Sequence, residues 1–279
     1  MPFTIAALTD EISEDFQEAV DIALEWGIQH IELHNVWGKN ICDASDAEIS
    51  RVLRIVRENG LAVVAIDSLT LRADLDDDDE YARHMEHLKR SIELTRLFDA
   101  RMARLFSFWK RGDLDNEATW ERIFEKMELP IRIAEAEGAT LGFENVSSGN
   151  IGASGDIERL LERFPSPALQ LIWDPGNAYA AGDARSALEG YEAVRERVVN
   201  VHIKDAAFVK GKRVWLPVGE GEVEYPPFLA ALARDGYEGV LSLETHFRPP
   251  SGNRAEGSKA ALDGLLAAIA EASTLMKAK

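Results

Sequence analysis

The sequence predicts a single-domain α/β protein, a (β/α)8 (TIM) barrel over residues 1–279. Eight apolar segments alternate with eight amphipathic segments at intervals of about 30 residues, which requires parallel strands joined by right-handed helical crossovers. Segments such as Leu61–Leu69 are almost continuously apolar, as expected for strands buried on both faces. Eight such units in roughly 250 residues favour a closed barrel over an open doubly wound sheet, which is the alternative.

Local signals along the chain justify the individual elements. Ser13 or Asp15 caps the first helix and Gly27 ends it, whereas Ser45 caps the second and Asn59 stands at its end. The predicted strands are Phe3–Leu8, His30–His34, Leu61–Leu69, Arg101–Phe106, Thr140–Glu144, Leu169–Asp174, Val198–Ile203 and Gly239–Glu244. The predicted helices are Phe16–Trp26, Ser45–Asn59, Tyr81–Phe98, Glu117–Glu137, Asp156–Phe164, Ala184–Val194, Pro226–Arg234 and Ala255–Leu275.

Some segments are expected to interrupt this regular pattern. Pro130 lies inside the predicted helix Glu117–Glu137, and its missing N–H predicts a kink or a division there. Thr9–Ser13 is predicted as a polar loop, and the polar segment that begins at Lys204 is predicted as a long loop. No Gly-x-Gly-x-x-Gly motif follows a predicted strand and no Walker loop occurs, so a nucleotide-binding sheet would lack its phosphate cradle.

Composition limits the partners and the location of the protein. The chain has 49 acidic and 31 basic residues, and its net charge of −18 argues against nucleic acid or an anionic membrane as a partner. Cys42 is the one cysteine, so no internal disulfide is possible. The chain opens on a short uncharged segment and lacks an apolar run of roughly 18 to 20 residues, so neither a signal peptide nor a membrane span is expected. These features predict a cytoplasmic protein.

Four potential metal ligands stand at the ends of four consecutive predicted strands. Glu144, Asp174, His202 and Glu244 follow one another at intervals of 30, 28 and 42 residues, each about the length of one βα unit. Because the carboxyl ends of parallel strands meet at one mouth of a barrel, these side chains are expected to converge there. One acidic residue at a strand end is more often a helix cap or a solvated charge. Three acidic residues and one histidine at the ends of four successive strands predict a divalent-metal site.

Three carboxylates and one imidazole form a ligand set without a thiolate. This set suits a hard or borderline divalent ion, with Mn²⁺ preferred and Mg²⁺, Co²⁺ or Zn²⁺ as the other choices. The open coordination positions would accept adjacent carbonyl and hydroxyl oxygens of a substrate, and the ion would stabilise the enediolate formed on proton loss. Glu144 and Glu244 are the predicted catalytic acid/base pair, one on each side of the substrate plane.

The order of short motifs resembles a known enzyme family. The chain contains Glu144-Asn145, Asp174-Pro-Gly-Asn177, His202-Ile-Lys-Asp205, Gly219-Glu-Gly221 and Leu243-Glu-Thr-His246 in this order. This order resembles the sugar phosphate isomerase/epimerase family of xylose isomerase-like TIM barrels, which includes ketose 3-epimerases, inosose dehydratases and hydroxypyruvate isomerases. The resemblance spans almost the whole chain. It implies a metal-dependent isomerase or epimerase of a keto-sugar or related polyol, with Glu144, Asp174, His202 and Glu244 as metal ligands.

Departures from the ketose 3-epimerases leave the reaction open. Asn177 stands where those enzymes carry a His, and Asn150 stands where they carry a second substrate-side Glu. A metal-dependent dehydratase or lyase on the same scaffold is therefore the alternative. A phosphodiesterase of the endonuclease IV type would require a His-rich zinc cluster and a basic groove, which this composition argues against. A non-catalytic sugar-binding barrel is the fourth hypothesis.

Five further residues are predicted to contact the substrate, a small carbohydrate. His34 ends the second predicted strand, and Asn177 lies three residues after the predicted ligand Asp174. Lys204 would either hold an oxyanion or pair with Asp205. His246 shares the direction of the last strand end, and the ring of Trp109 suits the C–H face of a sugar. A homo-oligomer is compatible with the sequence, which does not specify one.

Overall fold

Parallel strands and helices alternate along the chain, and the computed structural model describes residues 3–110 and 116–277 of it. The strands are β1 (Thr4–Leu8), β2 (His30–Leu33), β3 (Asn35–Val36), β4 (Lys39–Asn40), β5 (Ala62–Ile66), β6 (Met102–Leu105), β7 (Leu141–Glu144), β8 (Leu169–Trp173), β9 (Val198–Ile203), β10 (Asp205–Val209), β11 (Lys212–Leu216) and β12 (Val240–Leu243). The helices are α1 (Thr9–Ile12), α2 (Phe16–Glu25), α3 (Asp46–Glu58), α4 (Asp78–Phe98), α5 (Glu117–Glu137), α6 (Ser154–Arg163), α7 (Pro175–Ala181), α8 (Ala187–Val194), α9 (Tyr225–Arg234) and α10 (Arg254–Lys277). Two short 3-10 helices cover Ile41–Asp43 and Arg195–Arg197.

Eight parallel strands close into a barrel in the order β1, β2, β5, β6, β7, β8, β9 and β12. Closure occurs at β1, where Ala6 lies beside His30 of β2 and Thr4 lies beside Val240 of β12. A sheet that closes on itself leaves no unpaired edge strand. The predicted (β/α)8 barrel is therefore confirmed, and the open sheet considered as an alternative is wrong.

Side-chain caps fix the starts of the outer helices. Asp15 caps α2 through the N–H of Glu18, and Ser45 forms a reciprocal capping box with Glu48 at the start of α3. Gly138 ends α5 in the left-handed conformation that favours glycine. Among the described residues, no helix is both long enough and apolar enough to cross a membrane.

Helix α5 continues through Pro130, so the expected division of this helix is wrong. Pro130 has no N–H to donate to the carbonyl of Lys126, one turn earlier. The hydroxyl of Tyr81 in α4 donates to that carbonyl instead, at 2.7 Å. Because a neighbouring helix supplies the missing donor, the freed carbonyl remains satisfied and the helix stays continuous.

Two segments predicted as loops, and one segment without a prediction, carry regular structure around the mouth of the barrel. Thr9–Ile12 forms the helical turn α1, and α7 follows directly after β8 because Asp174 caps it and Pro175 occupies its first position. The polar segment after Lys204 contains the antiparallel hairpin β10–β11. Its turn residues Lys210 and Gly211 both have positive φ, as tight two-residue hairpin turns require.

Candidate metal centre

The four predicted metal ligands meet at the C-terminal mouth of the barrel. Glu144 is the last residue of β7, Asp174 directly follows β8, His202 lies in β9, and Glu244 directly follows β12. Each side chain contributes one potential ligand atom, and these atoms all lie within 4.8 Å of one another. All four residues are buried. The fold therefore brings together the side chains that their strand-end positions predicted would converge.

Short contacts join the members of this cluster. Nδ1 of His202 lies 3.0 Å from Oε2 of Glu244 and 3.3 Å from Oε1 of Glu144. The side-chain amide of Asn177 donates to Oδ2 of Asp174 at 2.9 Å and to Oε1 of Glu144 at 3.3 Å. Asn177 was predicted to contact the substrate, and the structure places it as a hydrogen-bond partner of two candidate metal ligands.

The charges of the cluster suit a divalent cation. Burial and two neighbouring carboxylates raise the pKa of Asp174 to about 6, against the lowering effect of Lys204. Burial lowers the pKa of His202, but three adjacent carboxylates raise it well above its usual range. Carboxylates that share a buried site repel one another, and a cation among them relieves that repulsion. Three carboxylate oxygens and one imidazole nitrogen are donors that Mn²⁺, Mg²⁺ and related ions accept, so the residues present fit such an ion.

Glu32 supports the cluster from inside the barrel, and sequence reasoning did not assign it a role. Its Oε2 lies 2.9 Å from Nε2 of His202, so the other ring nitrogen faces the candidate ligands. Its Oε1 accepts hydrogen bonds from Asn200 at 2.6 Å and from the hydroxyl of Ser242. A carboxylate behind a ligating histidine fixes the orientation of its ring. The available signal was a charged residue inside the apolar strand His30–Leu33, a combination that is rare without a partner.

Two buried cations balance part of this negative charge. The guanidinium of Arg104, in β6, donates to Oε2 of Glu144 at 3.0 Å. The ammonium of Lys204 lies 2.9 Å from Oδ2 of Asp174 and also contacts Glu244. Lys204 was predicted to hold a substrate oxyanion, and in this structure its ammonium is engaged by two candidate ligands. Arg104 was not predicted, although a charged residue in the middle of a buried strand was the signal that could have identified it.

The other predicted substrate-binding residues lie at different distances from the cluster. Nε2 of His246 lies 3.8 Å from Oε1 of Glu244, so this residue adjoins the candidate ligands. Nδ1 of His34 contacts Asp10 at 2.9 Å, and its buried Nε2 has no partner among the described residues. The ring of Trp109 is covered on one face by the guanidinium of Arg72, 4.8 Å from the ring centroid. For His34 and Trp109 the described contacts do not reach the cluster.

Two other motif residues hold the loops that surround the mouth. The amide of Asn145 donates to the carbonyl of Asp174, and its oxygen accepts the N–H of the same residue, each at 2.9 Å. Asp205 accepts the N–H groups of Gly219 and Gly221 at 2.8 and 3.1 Å. These bonds tie the ends of neighbouring strands and loops together, so both residues position the site without facing the candidate ligands.

The fold and the site define a (β/α)8 barrel with a candidate divalent-metal centre at its C-terminal mouth. A family model described as xylose isomerase-like TIM barrel matches residues 20–268. The chain therefore belongs to the xylose isomerase-like TIM barrel family, and the known proteins it resembles include enzymes.

Individual proteins show how far this likeness extends. An inosose dehydratase from Clostridium perfringens is 24% identical over 156 residues, which cover 50% of this chain and 52% of that protein. The chain thus spans about half the length of this curated relative. The structure of L-ribulose 3-epimerase matches with a TM-score of 0.78 and 19% identity, covering 98% of this chain and 96% of that one.

A third protein adds a bound ion. A xylose isomerase-like TIM barrel protein from Mycobacterium smegmatis, in complex with magnesium, matches with a TM-score of 0.73 and 20% identity over 96% of this chain and 98% of that one. Structural likeness at such low identities establishes the fold alone.

Proposed function

We propose that this protein is a divalent-metal-dependent isomerase or epimerase that acts on a keto-sugar or a related polyol. The observation that carries the proposal is the convergence of three carboxylates and one imidazole within 4.8 Å at the mouth of the barrel. Glu144, Asp174, His202 and Glu244 would hold the ion, Mn²⁺ being the first choice for these donors. A bound divalent ion would polarise the substrate carbonyl and make the neighbouring C–H more acidic.

Glu144 and Glu244 are the proposed acid/base pair. Burial raises the pKa of each carboxyl, but for Glu244 the adjacent Lys204 and His202 bring it well below its usual range. The pKa of Glu144 also lies below its usual range, through the charges of His202 and Arg104. Both groups are therefore ionised near neutral pH and able to accept a proton from the carbon next to a carbonyl.

The surrounding contacts orient the two carboxylates. Oε2 of Glu144 accepts from Arg104 at 3.0 Å, and its Oε1 accepts from Asn177 at 3.3 Å. Oε2 of Glu244 lies 3.0 Å from the ring of His202. Carboxylates fixed on two different strands can remove a proton at one face of a substrate and return it at the other, which is the requirement for epimerisation.

Solvent hydrogen exchange tests this proposal. The protein loaded with Mn²⁺ would be incubated in heavy water with a panel of ketoses and hydroxylated keto acids, and deuterium next to the carbonyl would be read by mass spectrometry. Glu144→Gln and Glu244→Gln should each lower the exchange rate by at least about 100-fold, since each removes a general base. Glu58→Gln, on the exposed face of α3, is the matched control and should exchange like the parent. A metal-loaded parent that exchanges no C–H of any ketose or hydroxylated keto acid would refute the proposal.

A dehydratase or lyase is the second candidate, and the match to an inosose dehydratase over half of this chain favours it. The same proton removal would then be followed by loss of a hydroxyl or glycosyl group from the next carbon. Mass spectrometry of the same reactions separates the two candidates, because elimination of water lowers the substrate mass whereas epimerisation leaves it unchanged. A small-molecule carbohydrate is the proposed binding partner for either reaction.

A further inference from the structure

Arg72 is held rigidly at the rim of the barrel mouth. It lies in the segment that follows β5, and this segment is bonded to the one that follows β6. The carbonyl of Leu71 accepts the N–H of Phe108 at 2.7 Å, and that of Ala73 accepts the N–H of Trp109 at 2.8 Å. Backbone hydrogen bonds therefore lie on both sides of Arg72, and they fix the position of the backbone from which its side chain extends.

Aromatic rings then fix the direction of the Arg72 guanidinium. Its Cζ lies 4.8 Å from the centroid of the Trp109 ring and 5.5 Å from that of Phe106. Arg104 lies against the same Phe106 ring at 4.9 Å and donates to Glu144. The Phe106 ring thus links Arg72 to the candidate metal centre through one intervening residue.

Arg72 differs from the neighbouring cations Arg104 and Lys204 because no carboxylate of the described residues is paired with it. Arg104 donates to Glu144 at 3.0 Å, and Lys204 lies 2.9 Å from Asp174. Among the described residues, Arg72 has no carboxylate within ion-pair distance, and its buried Nε has no hydrogen-bond partner. Burial and the nearby Arg104 lower the pKa of Arg72, whereas two carboxylates of the centre raise it, so the charges of the site act on this side chain.

We infer that Arg72 binds a carboxylate of the substrate, which makes the substrate a hydroxylated keto acid rather than a neutral ketose. This inference rests on the proposed function, because it assigns a group of the same substrate. A guanidinium presents its two Nη groups in one plane, and this end-on fork matches the two oxygens of a carboxylate. Trp109 and Phe106 pack against the guanidinium of Arg72, and among the described residues no carboxylate contacts its Nη groups. A phosphate is the competing anion, and D-fructose 6-phosphate represents it in the test.

Ligand pairs of equal length provide the test. Affinities for the Mn²⁺-loaded protein would be measured by calorimetry with dihydroxyacetone against hydroxypyruvate and with D-fructose against D-fructuronate. D-fructose 6-phosphate is added to test whether Arg72 binds a phosphate instead of a carboxylate. A charge-assisted bidentate hydrogen bond should favour at least one keto acid over its neutral partner by about 10- to 100-fold.

Two arginine variants show whether Arg72 causes the preference. Arg72→Met keeps the length of the side chain and should reduce the preference to less than about twofold, whereas Arg72→Lys keeps the charge, loses the fork and should retain part of it. Arg163→Met is the matched control. Arg163 also stacks on two rings, at 5.0 Å from Phe164 and 5.7 Å from Phe124, but on the outer helix α6. This control should keep the full preference.

The outcomes separate this inference from the proposed function. A parent that binds Mn²⁺ and exchanges ketose protons but shows no keto-acid preference would overturn the role of Arg72 alone. That role is likewise overturned if Arg72→Met, folded by thermal melt, retains the preference, or if D-fructose 6-phosphate is the ligand that the variant loses. A parent that binds no divalent ion and exchanges no proton would overturn the proposed function and this inference with it.

Discussion

Oε2 of Glu32 lies 2.9 Å from Nε2 of His202, on the ring nitrogen that does not face Glu144 and Glu244. Both residues are fully buried, and they are 170 positions apart in the chain. The carboxylate accepts the Nε2 proton, which leaves Nδ1 directed at the candidate metal centre. The orientation of this candidate ligand therefore depends on a residue that is distant in the sequence.

We predict that Glu32→Gln weakens divalent-metal binding by about 10- to 100-fold, the effect typical of lost support behind a ligating histidine. The substitution keeps the shape of the side chain and removes its charge, so the imidazole loses the partner that fixes its proton. Calorimetric titration with Mn²⁺ measures the change. Unaltered affinity in a variant that melts like the parent would show that His202 is oriented by other contacts.

Metal removal should lower the thermal stability of the protein. The candidate ligands include three buried carboxylates whose repulsion a divalent ion would relieve. At a metal concentration about 100 times the dissociation constant, binding adds about 2.7 kcal/mol, which corresponds to roughly 5–10 °C in melting temperature. Scanning calorimetry with EDTA and with Mn²⁺ measures this shift.

Asp174→Asn tests whether the stabilising ion binds at the candidate metal centre. Asparagine can still cap α7, so the fold is retained, but one anionic ligand is lost. The shift on adding Mn²⁺ should largely disappear in this variant. It should persist in Asp263→Asn, where an exposed residue of α10 is changed. Equal shifts in the two variants would mean that the ion stabilises the protein from another site.

The convergence of the four candidate ligands could be predicted from the sequence because each one ends an apolar segment, and the ends of parallel strands meet at one mouth of a barrel. Glu32 and Arg104 could not be assigned in this way, because they lie inside strands. Their partners are set by the closure of the barrel: Glu32 in β2 meets Asn200 in β9 only because the sheet curves back on itself. Local sequence signals carry no information on contacts across the barrel interior.

The hairpin β10–β11 shows a different limit of sequence reasoning. Its apolar residues form two short runs, Ala206–Val209 and Val214–Leu216, without a helix between them, so they do not match the alternation of strand and helix that identifies barrel strands. Only the Lys210-Gly211 turn signals the hairpin, and the conformation of Lys210, with φ of 52°, is uncommon for a residue other than glycine. The barrel strands could be predicted from their apolar segments, whereas a prediction of this hairpin would have to rest on its turn residues.

Acid should weaken a contact that ties the first helical turn to the last strand end. Nδ1 of His246 lies 2.9 Å from Oε1 of Glu11, and Arg248 donates to Oε2 at 2.8 Å. Burial raises the pKa of Glu11, but the contacts with His246 and Arg248 lower it overall, from its ordinary value near 4.5 to about 2. A carboxyl whose pKa falls on folding stabilises the protein above its ordinary pKa. That stabilisation is lost as the pH drops towards the folded value.

Glu11→Gln should therefore lower the free energy of unfolding by about 1–3 kcal/mol at pH 6, and the gap from the parent should close between about pH 4.5 and pH 2. Urea unfolding across this range measures the gap. Glu14→Gln is the control, because this exposed residue pairs with Arg254 at the surface, where ion pairs contribute little. A gap that is constant with pH would rule out the ionised Glu11 as its cause.

Gly176 allows Lys204 to reach the candidate metal centre. A Cβ at position 176 would overlap the carbonyl oxygen and the side chain of Lys204 more closely than real Cβ contacts allow. The same residue lies in the first turn of α7, which Asp174 caps. We predict that Gly176→Ala costs about 1–3 kcal/mol of stability, because either the helix or the lysine must move. Mn²⁺ affinity should fall as well, since Asp174 belongs to the cluster and Lys204 contacts it.

Gly155→Ala supplies the comparison for this substitution. Gly155 lies in α6, and a Cβ there meets nothing within 4 Å. Alanine at an open helical position should raise the stability by up to about 1 kcal/mol and leave metal binding unchanged. Calorimetry of both variants with and without Mn²⁺ separates the backbone effect of removing glycine from the overlap with Lys204. Equal melting and equal Mn²⁺ affinity in the two variants would show that α7 and Lys204 tolerate the added methyl group, and that close packing at Gly176 does not position the ammonium.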